Sequence, residues 1–246
     1  MLLVHLCSAT AAAAPDVQGD TAAPPVIDLA RLETQPDAVA RDVFDACSQW
    51  GFFQIINHGV DAELRRQFDN QTRAFFDLPD DAKHALRRSA ANARGFYDDE
   101  LTKQRLDWKQ GYDFGVPASR DWATADKAAA NANLDGYNRF PPLELLPHFR
   151  AVATAYYDTM AELADRISVL MARGLGLSAD DPLVRSLRQT HSSYLRLNYY
   201  PPCGSDAKPP PLGISPHRDA GFLTILSQDA ECHPPHMCRP AEARPD

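Results

Sequence analysis

The stretch Gly213-Ile214-Ser215-Pro216-His217-Arg218-Asp219-Ala220-Gly221-Phe222-Leu223-Thr224-Ile225-Leu226 is the most informative part of this chain. It ends in an apolar run, Phe222 to Leu226, that is typical of a β-strand. His217 and Asp219 are two residues apart, so within a strand both side chains lie on one face, with Cα atoms about 6.6 Å apart. The stretch therefore predicts a β region over 213–226 that presents an imidazole and a carboxylate together.

An imidazole and a carboxylate so placed are two thirds of the facial triad that binds non-haem Fe(II). The third ligand is expected to be a histidine from a later strand. The alternative for His217 and Asp219 is a surface salt bridge, which the pattern alone makes the more frequent outcome. The pair therefore needs support from the rest of the chain.

Composition limits the class of protein. The chain has 246 residues and a net charge of −8, which argues against a nucleic-acid surface. Five cysteines, an odd number, do not form a disulfide framework and fit a reducing compartment, so we expect a cytoplasmic protein. No apolar run reaches the ~18 residues of a membrane span. Residues 1–23 contain no lysine or arginine, which disfavours a secretory signal, and we expect a disordered extension there.

Periodicity predicts helices first and strands later, which indicates an α+β domain. Segment Ala90 to Asn138 is mixed in composition, and we expect loops there that cover a site. The predicted helices and strands, in chain order, are a strand near Val26–Leu29, a helix from Pro36 to Trp50, a strand at Phe52–Ile56, a helix from Leu64 to Phe76, a long helix from Phe149 to Leu170, a short helix after Asp181 and a strand from Tyr194 to Tyr200.

Two further segments leave alternatives open. Arg196, Asn198 and Tyr200 share one face of a predicted strand, where they either bind an anion or cosubstrate or face solvent. His58, in the turn after a buried strand, is interpreted as structural. The run Asp107 to Gly115 is polar and aromatic, and composition does not separate a site-lining segment from a packed loop.

Several stretches together resemble the 2-oxoglutarate/Fe(II)-dependent dioxygenases of the isopenicillin N synthase-like group. They are PVIDL at 25–29, GFFQIINHGV at 51–60, DWKQGYDFG at 107–115, LRLNYYPPC at 195–203 and GISPHRDAGFLTILSQD at 213–229. The resemblance implies a helical N-terminal region over 24–140 and the first part of a double-stranded β-helix (jelly roll) over 141–229. It matches His217 and Asp219 to iron ligands, and Asn198 and Tyr200 to positions that hold 2-oxoglutarate. It implies no catalytic side chain beyond the metal site.

The pattern of the family ends near Asp229. Its third histidine and its 2-oxoglutarate-binding Arg-x-Ser are not found, and residues 230–246 are expected to be an aberrant tail that leaves the jelly roll incomplete. His233 or His236 is an alternative third ligand, although no strand pattern supports either. Three functions therefore stay open, namely a dioxygenase, an inactive fragment of that fold with a half-built metal site, and a cupin-like metal-binding protein.

The resemblance also implies cofactors and partners. We expect Fe(II) and 2-oxoglutarate, with ascorbate as a candidate reductant, and a small organic substrate together with O₂. The expected reaction is hydroxylation, desaturation or ring closure. We expect a monomer that binds neither nucleic acid nor membrane.

Overall fold

The computed structural model describes residues 2–6, 23–117, 136–189, 192–202, 213–217, 219 and 221–228. The strands of this part of the chain are β1 (Leu2–Leu6), β2 (Val26–Asp28), β3 (Phe52–Ile56), β4 (Gly95–Tyr97), β5 (Leu101–Thr102), β6 (Arg105–Leu106), β7 (Gln110–Gly115), β8 (Tyr194–Tyr199) and β9 (Leu223–Leu226). The α-helices are α1 (Pro36–Gln49), α2 (Ala62–Phe76), α3 (Asp80–His84), α4 (Phe149–Gly174) and α5 (Pro182–Gln189), and a 3₁₀ helix covers Leu29–Glu33.

The chain forms two compact units that are each built from distant parts of the sequence. The first unit contains residues 1–61, 158–191 and 218–229, and the second contains residues 62–157, 192–217 and 230–246. The boundary falls inside the long helix α4, which contributes to both units. No helix among the described residues is long and apolar enough to cross a membrane.

Helix α1 illustrates how the sequence forms the first unit. Pro36 occupies its first turn, where a missing N–H costs nothing, and the buried residues recur at helical spacing. The helix is followed by Gly51 at φ +74°, a left-handed conformation that favours glycine. Strand β3 follows immediately, as predicted. The core residues of this unit are Ile27, Leu29, Val39, Ala40, Val43, Ala46, Phe53, Ile55, Leu163, Ile167 and Leu170.

The first unit has a four-stranded parallel sheet in the order β2-β3-β1-β9. Strand β1 lies between β3 and β9, and Val4 is opposite both Phe53 and Ile225. The expected disorder of residues 1–23 is therefore wrong for Leu2–Leu6. The physical reason is that the Leu-Leu-Val-His-Leu backbone pairs with strands on both sides, which the local sequence does not reveal. Residues 7–22 lie outside the described residues.

The second unit has a three-stranded antiparallel sheet in the order β4-β7-β8 and an aromatic core. Phe75 of α2 lies at the centre of this core, with its ring centroid 4.5 Å from that of Tyr112 and 5.4 Å from that of Phe149. Both rings and Phe75 itself are fully buried. Aromatic contacts of this kind join the helices of the unit to one face of its sheet.

Two expectations about strands need correction. The segment from Ala90 to Asn138, expected to be loop-rich, contains β4 to β7, and its Gly95–Tyr97 and Gln110–Gly115 strands are largely buried. Within 213–226 only Leu223–Leu226 form a strand among the described residues, so His217 and Asp219 do not share a strand face. Pro216 lacks an N–H, and Gly221 has φ +117°, so both interrupt extended pairing before β9.

Candidate metal centre and its supporting network

A charged pair joins two strands of the second unit. Arg196 on β8 is opposite Asp113 on β7, and its Nε and Nη2 atoms donate to the two carboxylate oxygens at 2.9 and 2.8 Å. The side chain of Asp113 is only 3 % exposed. Burial lowers the pKa of Arg196, but the hydrogen bonds and charge of Asp113 outweigh that effect and raise the pKa above its ordinary value. Arg196 therefore carries its positive charge at any physiological pH.

Glu100 lies among three cations in the same network. Its carboxylate is 2.6 Å from Lys109 Nζ, 3.5 Å from Arg196 Nη1 and 3.7 Å from Arg88 Nη1. Burial raises the pKa of Glu100, whereas the Lys109 hydrogen bond and the three positive charges lower it, and the net direction is down. The Lys109 side chain is almost completely buried, and its Nζ atom lies 2.6 Å from Glu100 and 3.6 Å from Asp107.

Tyr97 of β4 lies beneath these cations. The Arg88 guanidinium lies 3.9 Å from the centre of its ring and that of Arg196 lies 5.2 Å from it. Burial raises the pKa of Tyr97, and the negative charge of Asp113 raises it further, so the phenol stays protonated. Its hydroxyl donates to Asp113 at 3.5 Å. The network of Arg88, Tyr97, Glu100, Asp113 and Arg196 therefore stabilises the sheet from one face.

The other face of β8 is apolar. Leu197 is buried, and the ring of Tyr199 stacks on Phe76 of α2 with centroids 5.4 Å apart. The sequence predicted that this strand has one polar face and one apolar face. The structure shows this for Arg196 on the polar face and for Leu197 and Tyr199 on the apolar face. Asn198 lies opposite Gly111 of β7 and is exposed, and Tyr200 is half-buried just beyond the end of the strand.

The loop before β7 contacts the ends of both candidate segments. Trp108 Nε1 donates to the Pro201 carbonyl at 2.9 Å, directly after Tyr200. The Ser215 N–H donates to Asp107 Oδ1 at 3.4 Å, two residues before His217. In the structure the segment Asp107 to Gly115 is therefore a packed loop followed by the largely buried strand β7.

His217 has a defined backbone partner. Its Nδ1 atom lies 3.0 Å from the Ser215 carbonyl oxygen. A carbonyl oxygen only accepts, so Nδ1 carries the hydrogen of this bond and Nε2 is the ring nitrogen that takes no part in it. This arrangement is the usual one for a histidine that binds a metal through Nε2.

Asp219 belongs to the first unit, whereas His217 belongs to the second. Asp219 is half-buried and lies four residues before Leu223, the first residue of β9. Among the residues that the structure describes, no group of three or more His, Cys, Asp or Glu side chains is placed to hold a metal. His233 and His236 lie outside the described residues.

His58 is structural, as its position in the sequence suggested. It is 7 % exposed, its Nδ1 accepts the Val60 N–H at 3.1 Å, and its carbonyl accepts from Arg166 at 3.2 Å. The sequence pattern did not identify Asp107, Lys109 and Asp113 as network residues. The signal for these residues was the recurrence of charge at positions 107, 109 and 113 in a segment whose other residues are aromatic, glycine or glutamine. Arg196 on the partner strand supplies the matching charge.

Two family models match the chain in order. The model described as non-haem dioxygenase in morphine synthesis N-terminal matches residues 24–143, and the model of the 2OG-Fe(II) oxygenase superfamily matches residues 191–237. The second match contains Asn198, Tyr200, His217 and Asp219. The family expected from the motifs is thereby supported by two separate segments.

Curated relatives agree with the family models. The chain is 35% identical over 213 residues to the oxoglutarate-dependent flavonoid 7-O-demethylase 1 of Ocimum basilicum, a match that covers 83% of this chain and 51% of the relative. It is 33% identical over 222 residues to gibberellin 20 oxidase 3 of Oryza sativa subsp. japonica, covering 89% and 57%. The chain therefore spans about half the length of the curated relatives it matches.

Solved structures agree as well. The crystal structure of JOX2 in complex with 2OG, Fe and JA matches with a TM-score of 0.61 and 30% identity, covering 80% of this chain and 53% of that one. A full-length Neurospora crassa protein in complex with alpha-KG matches with a TM-score of 0.67 and 20% identity, covering 83% and 63%, which shows a shared fold. From family models, relatives and structures together, the chain belongs to the 2-oxoglutarate/Fe(II)-dependent dioxygenase family.

Proposed function

We propose that this chain takes part in the Fe(II)- and 2-oxoglutarate-dependent oxidation of a small organic substrate by O₂, with hydroxylation, desaturation or ring closure as the outcome. The observation that carries the proposal is the His217-Arg218-Asp219 sequence inside the segment matched by the oxygenase superfamily, with His217 Nδ1 bound to a backbone carbonyl. Relatives named as a demethylase and an oxidase favour this function over an inactive fragment.

The donor chemistry of the two residues fits Fe(II). A neutral imidazole whose Nδ1 hydrogen is already bound offers Nε2 to a metal, and a carboxylate is the accompanying ligand of the facial triad. His217 and Asp219 would hold the iron in this proposal. When bound, the iron and 2-oxoglutarate supply the oxidising chemistry, with succinate and CO₂ as coproducts.

Asn198 and Tyr200 are proposed to hold the 2-oxoglutarate end of the site. Asn198 lies two residues after Arg196 on the same face of β8, and Tyr200 directly follows the strand. The carbonyl of the next residue, Pro201, accepts from Trp108. The amide of Asn198 and the phenol of Tyr200 can each donate to a carboxylate or keto oxygen. We also propose that β8 and β9 are the first strands of a jelly roll. In the same proposal the protein is a cytoplasmic monomer. Ascorbate acts as the reductant.

The experiment uses the whole chain and measures Co(II) binding by titration, followed by 2-oxoglutarate binding to the loaded protein. His217→Ala and Asp219→Ala are expected to weaken Co(II) affinity by more than about 100-fold, because losing an outer hydrogen-bond partner of a ligand already costs about 10- to 100-fold. Asn198→Ala and Tyr200→Phe are expected to weaken 2-oxoglutarate binding and leave Co(II) affinity unchanged.

His84→Ala is the matched control, since His84 is an exposed imidazole that pairs with Asp98. It is expected to bind Co(II) and 2-oxoglutarate as the parent does. Succinate release with Fe(II), 2-oxoglutarate and a panel of small substrates then tests turnover. If His217→Ala binds Co(II) as tightly as the parent, the proposed site is wrong.

A further inference from the structure

Three consecutive residues bind three different segments of the second unit. Asp107 Oδ1 accepts the Ser215 N–H, Trp108 Nε1 donates to the Pro201 carbonyl, and Lys109 Nζ lies 2.6 Å from Glu100. We call Asp107-Trp108-Lys109 the DWK clamp. It joins the segment before His217 to the segment after Tyr200 through one short loop.

Asp107 is itself rigidly held. The Thr102 hydroxyl donates to its Oδ2 at 2.6 Å, and Lys109 Nζ lies 3.6 Å from the same oxygen. The Asp107 side chain is 1% exposed, so water does not compete for these bonds. A buried carboxylate with several fixed donors keeps one orientation, because breaking any bond leaves charge unsatisfied.

The hydrogen bond between Asp107 and Ser215 also restrains the position of the His217 ring. Ser215 is buried, its N–H is held by Asp107, and its carbonyl oxygen lies 3.0 Å from His217 Nδ1. Ser215 therefore donates its N–H to Asp107 and accepts a hydrogen bond from the His217 imidazole through its carbonyl oxygen. If Ser215 shifts, the acceptor that selects the Nδ1–H tautomer shifts with it.

We propose that Asp107 is a positioning residue that holds Ser215 so that His217 stays in the Nδ1–H tautomer, with Nε2 as the nitrogen that binds the divalent metal. The metal-binding part rests on the function proposed above, whereas the tautomer part concerns the metal-free protein. Asp107 touches neither metal nor substrate in this scheme and acts through Ser215 alone.

The test measures the ring nitrogens of His217 by nitrogen NMR in uniformly ¹⁵N-labelled, metal-free protein at mildly alkaline pH, since the two ring nitrogens of each tautomer are distinct. His217→Ala assigns the signals. In the parent we expect the Nδ1–H tautomer. In Asp107→Ala we expect a mixture of both tautomers and a Co(II) affinity about 10- to 100-fold weaker. Asp107→Asn, which keeps the side-chain volume, should change both readouts in the same direction by less.

His84→Ala is the control, because His84 is an exposed imidazole that pairs with Asp98 and takes no part in this chain of contacts. It should retain the tautomer and the Co(II) affinity of the parent. Folded Asp107 variants with an unchanged tautomer and unchanged Co(II) affinity overturn the inference. An unchanged Co(II) affinity in His217→Ala overturns the proposed function instead, and the tautomer readout still tests the link from Asp107 to His217.

Discussion

Arg196 and Asp113 face each other across β8 and β7 and share two hydrogen bonds, at 2.9 and 2.8 Å, on the face of the sheet that also carries Glu100 and Tyr97. A bidentate guanidinium–carboxylate pair restricts both angle and distance. The pair therefore fixes the register between a strand of the family's N-terminal region and the strand that contains Asn198. This register in turn determines where Asn198 and Tyr200 lie.

Arg196→Ala is expected to lower the free energy of unfolding by about 3 kcal/mol, because it leaves the buried Asp113 carboxylate without its main partner. Arg196→Lys keeps the charge but not the fork of donors and should cost less. Urea denaturation of the three proteins measures the difference. Replacing both partners, as Arg196→Met with Asp113→Leu, should recover part of the loss. A double variant less stable than Arg196→Ala would contradict this account.

The pH dependence of stability should report Glu100. Its pKa is lowered from the ordinary 4.5, so the ionised group stabilises the fold above that pH, and this contribution is lost as the pH falls through the lower folded value. The stability advantage of the parent over Glu100→Gln should therefore narrow as the pH falls below 4.5. Urea denaturation over a pH series measures it, with exposed Glu144→Gln as control. A constant advantage down to acid pH would count against the prediction.

At position 111, where β7 pairs with β4, the space beside Tyr97 admits only glycine. A Cβ atom at this position would overlap the ring of Tyr97, its register partner, which is fully buried. Gly111→Ala is expected to cost about 1–3 kcal/mol of stability by overpacking. Gly115→Ala on the same strand is the control, since the nearest atoms lie 3.4 Å from its added carbon. Equal losses in the two variants would show that the Tyr97 contact does not matter.

The central position of β1 can be tested with proline. Val4 lies between Phe53 and Ile225, so Val4→Pro removes an N–H from a strand with neighbours on both sides and should cost at least about 1 kcal/mol. Hydrogen exchange should accelerate in β3 and β9. Ala23→Pro, at an exposed position outside any helix or strand, is the control. Unchanged exchange in β9 of the Val4 variant would exclude the pairing.

The two histidines of the matched motifs should behave in opposite ways. His58→Ala removes the acceptor of the Val60 N–H inside a buried turn and is expected to cost about 1–3 kcal/mol of stability, with Co(II) affinity unchanged. His217→Ala, whose ring is exposed, should change stability little and lose Co(II) affinity. Thermal unfolding and Co(II) titration separate the two roles. If both variants change stability and Co(II) affinity in the same way, the separate roles assigned to His58 and His217 are wrong.

Much of the local structure followed from residue order alone. The apolar spacing of α1, the run Phe52–Ile56 and the length of α4 each specify an element through contacts between residues close in sequence. The candidate residues were also found in this way, because a His-x-Asp pair and an Asn-x-Tyr pair are local patterns. Strand β7 was missed because its buried residues include the charged Asp113 and two glycines, which are not typical of a buried strand.

Residue order alone was thus enough for the family, for helices α1, α2, α4 and α5, and for the side chains proposed to bind iron and 2-oxoglutarate. Tertiary structure alone decided that Leu2–Leu6 pair between β3 and β9, that Asp113 meets Arg196, and that Asp107 reaches Ser215 beside His217. The reason is physical. Sheet pairing and buried ion pairs join residues that are about 50 to more than 200 positions apart in these cases, and no local pattern records which distant partner satisfies a given donor or charge.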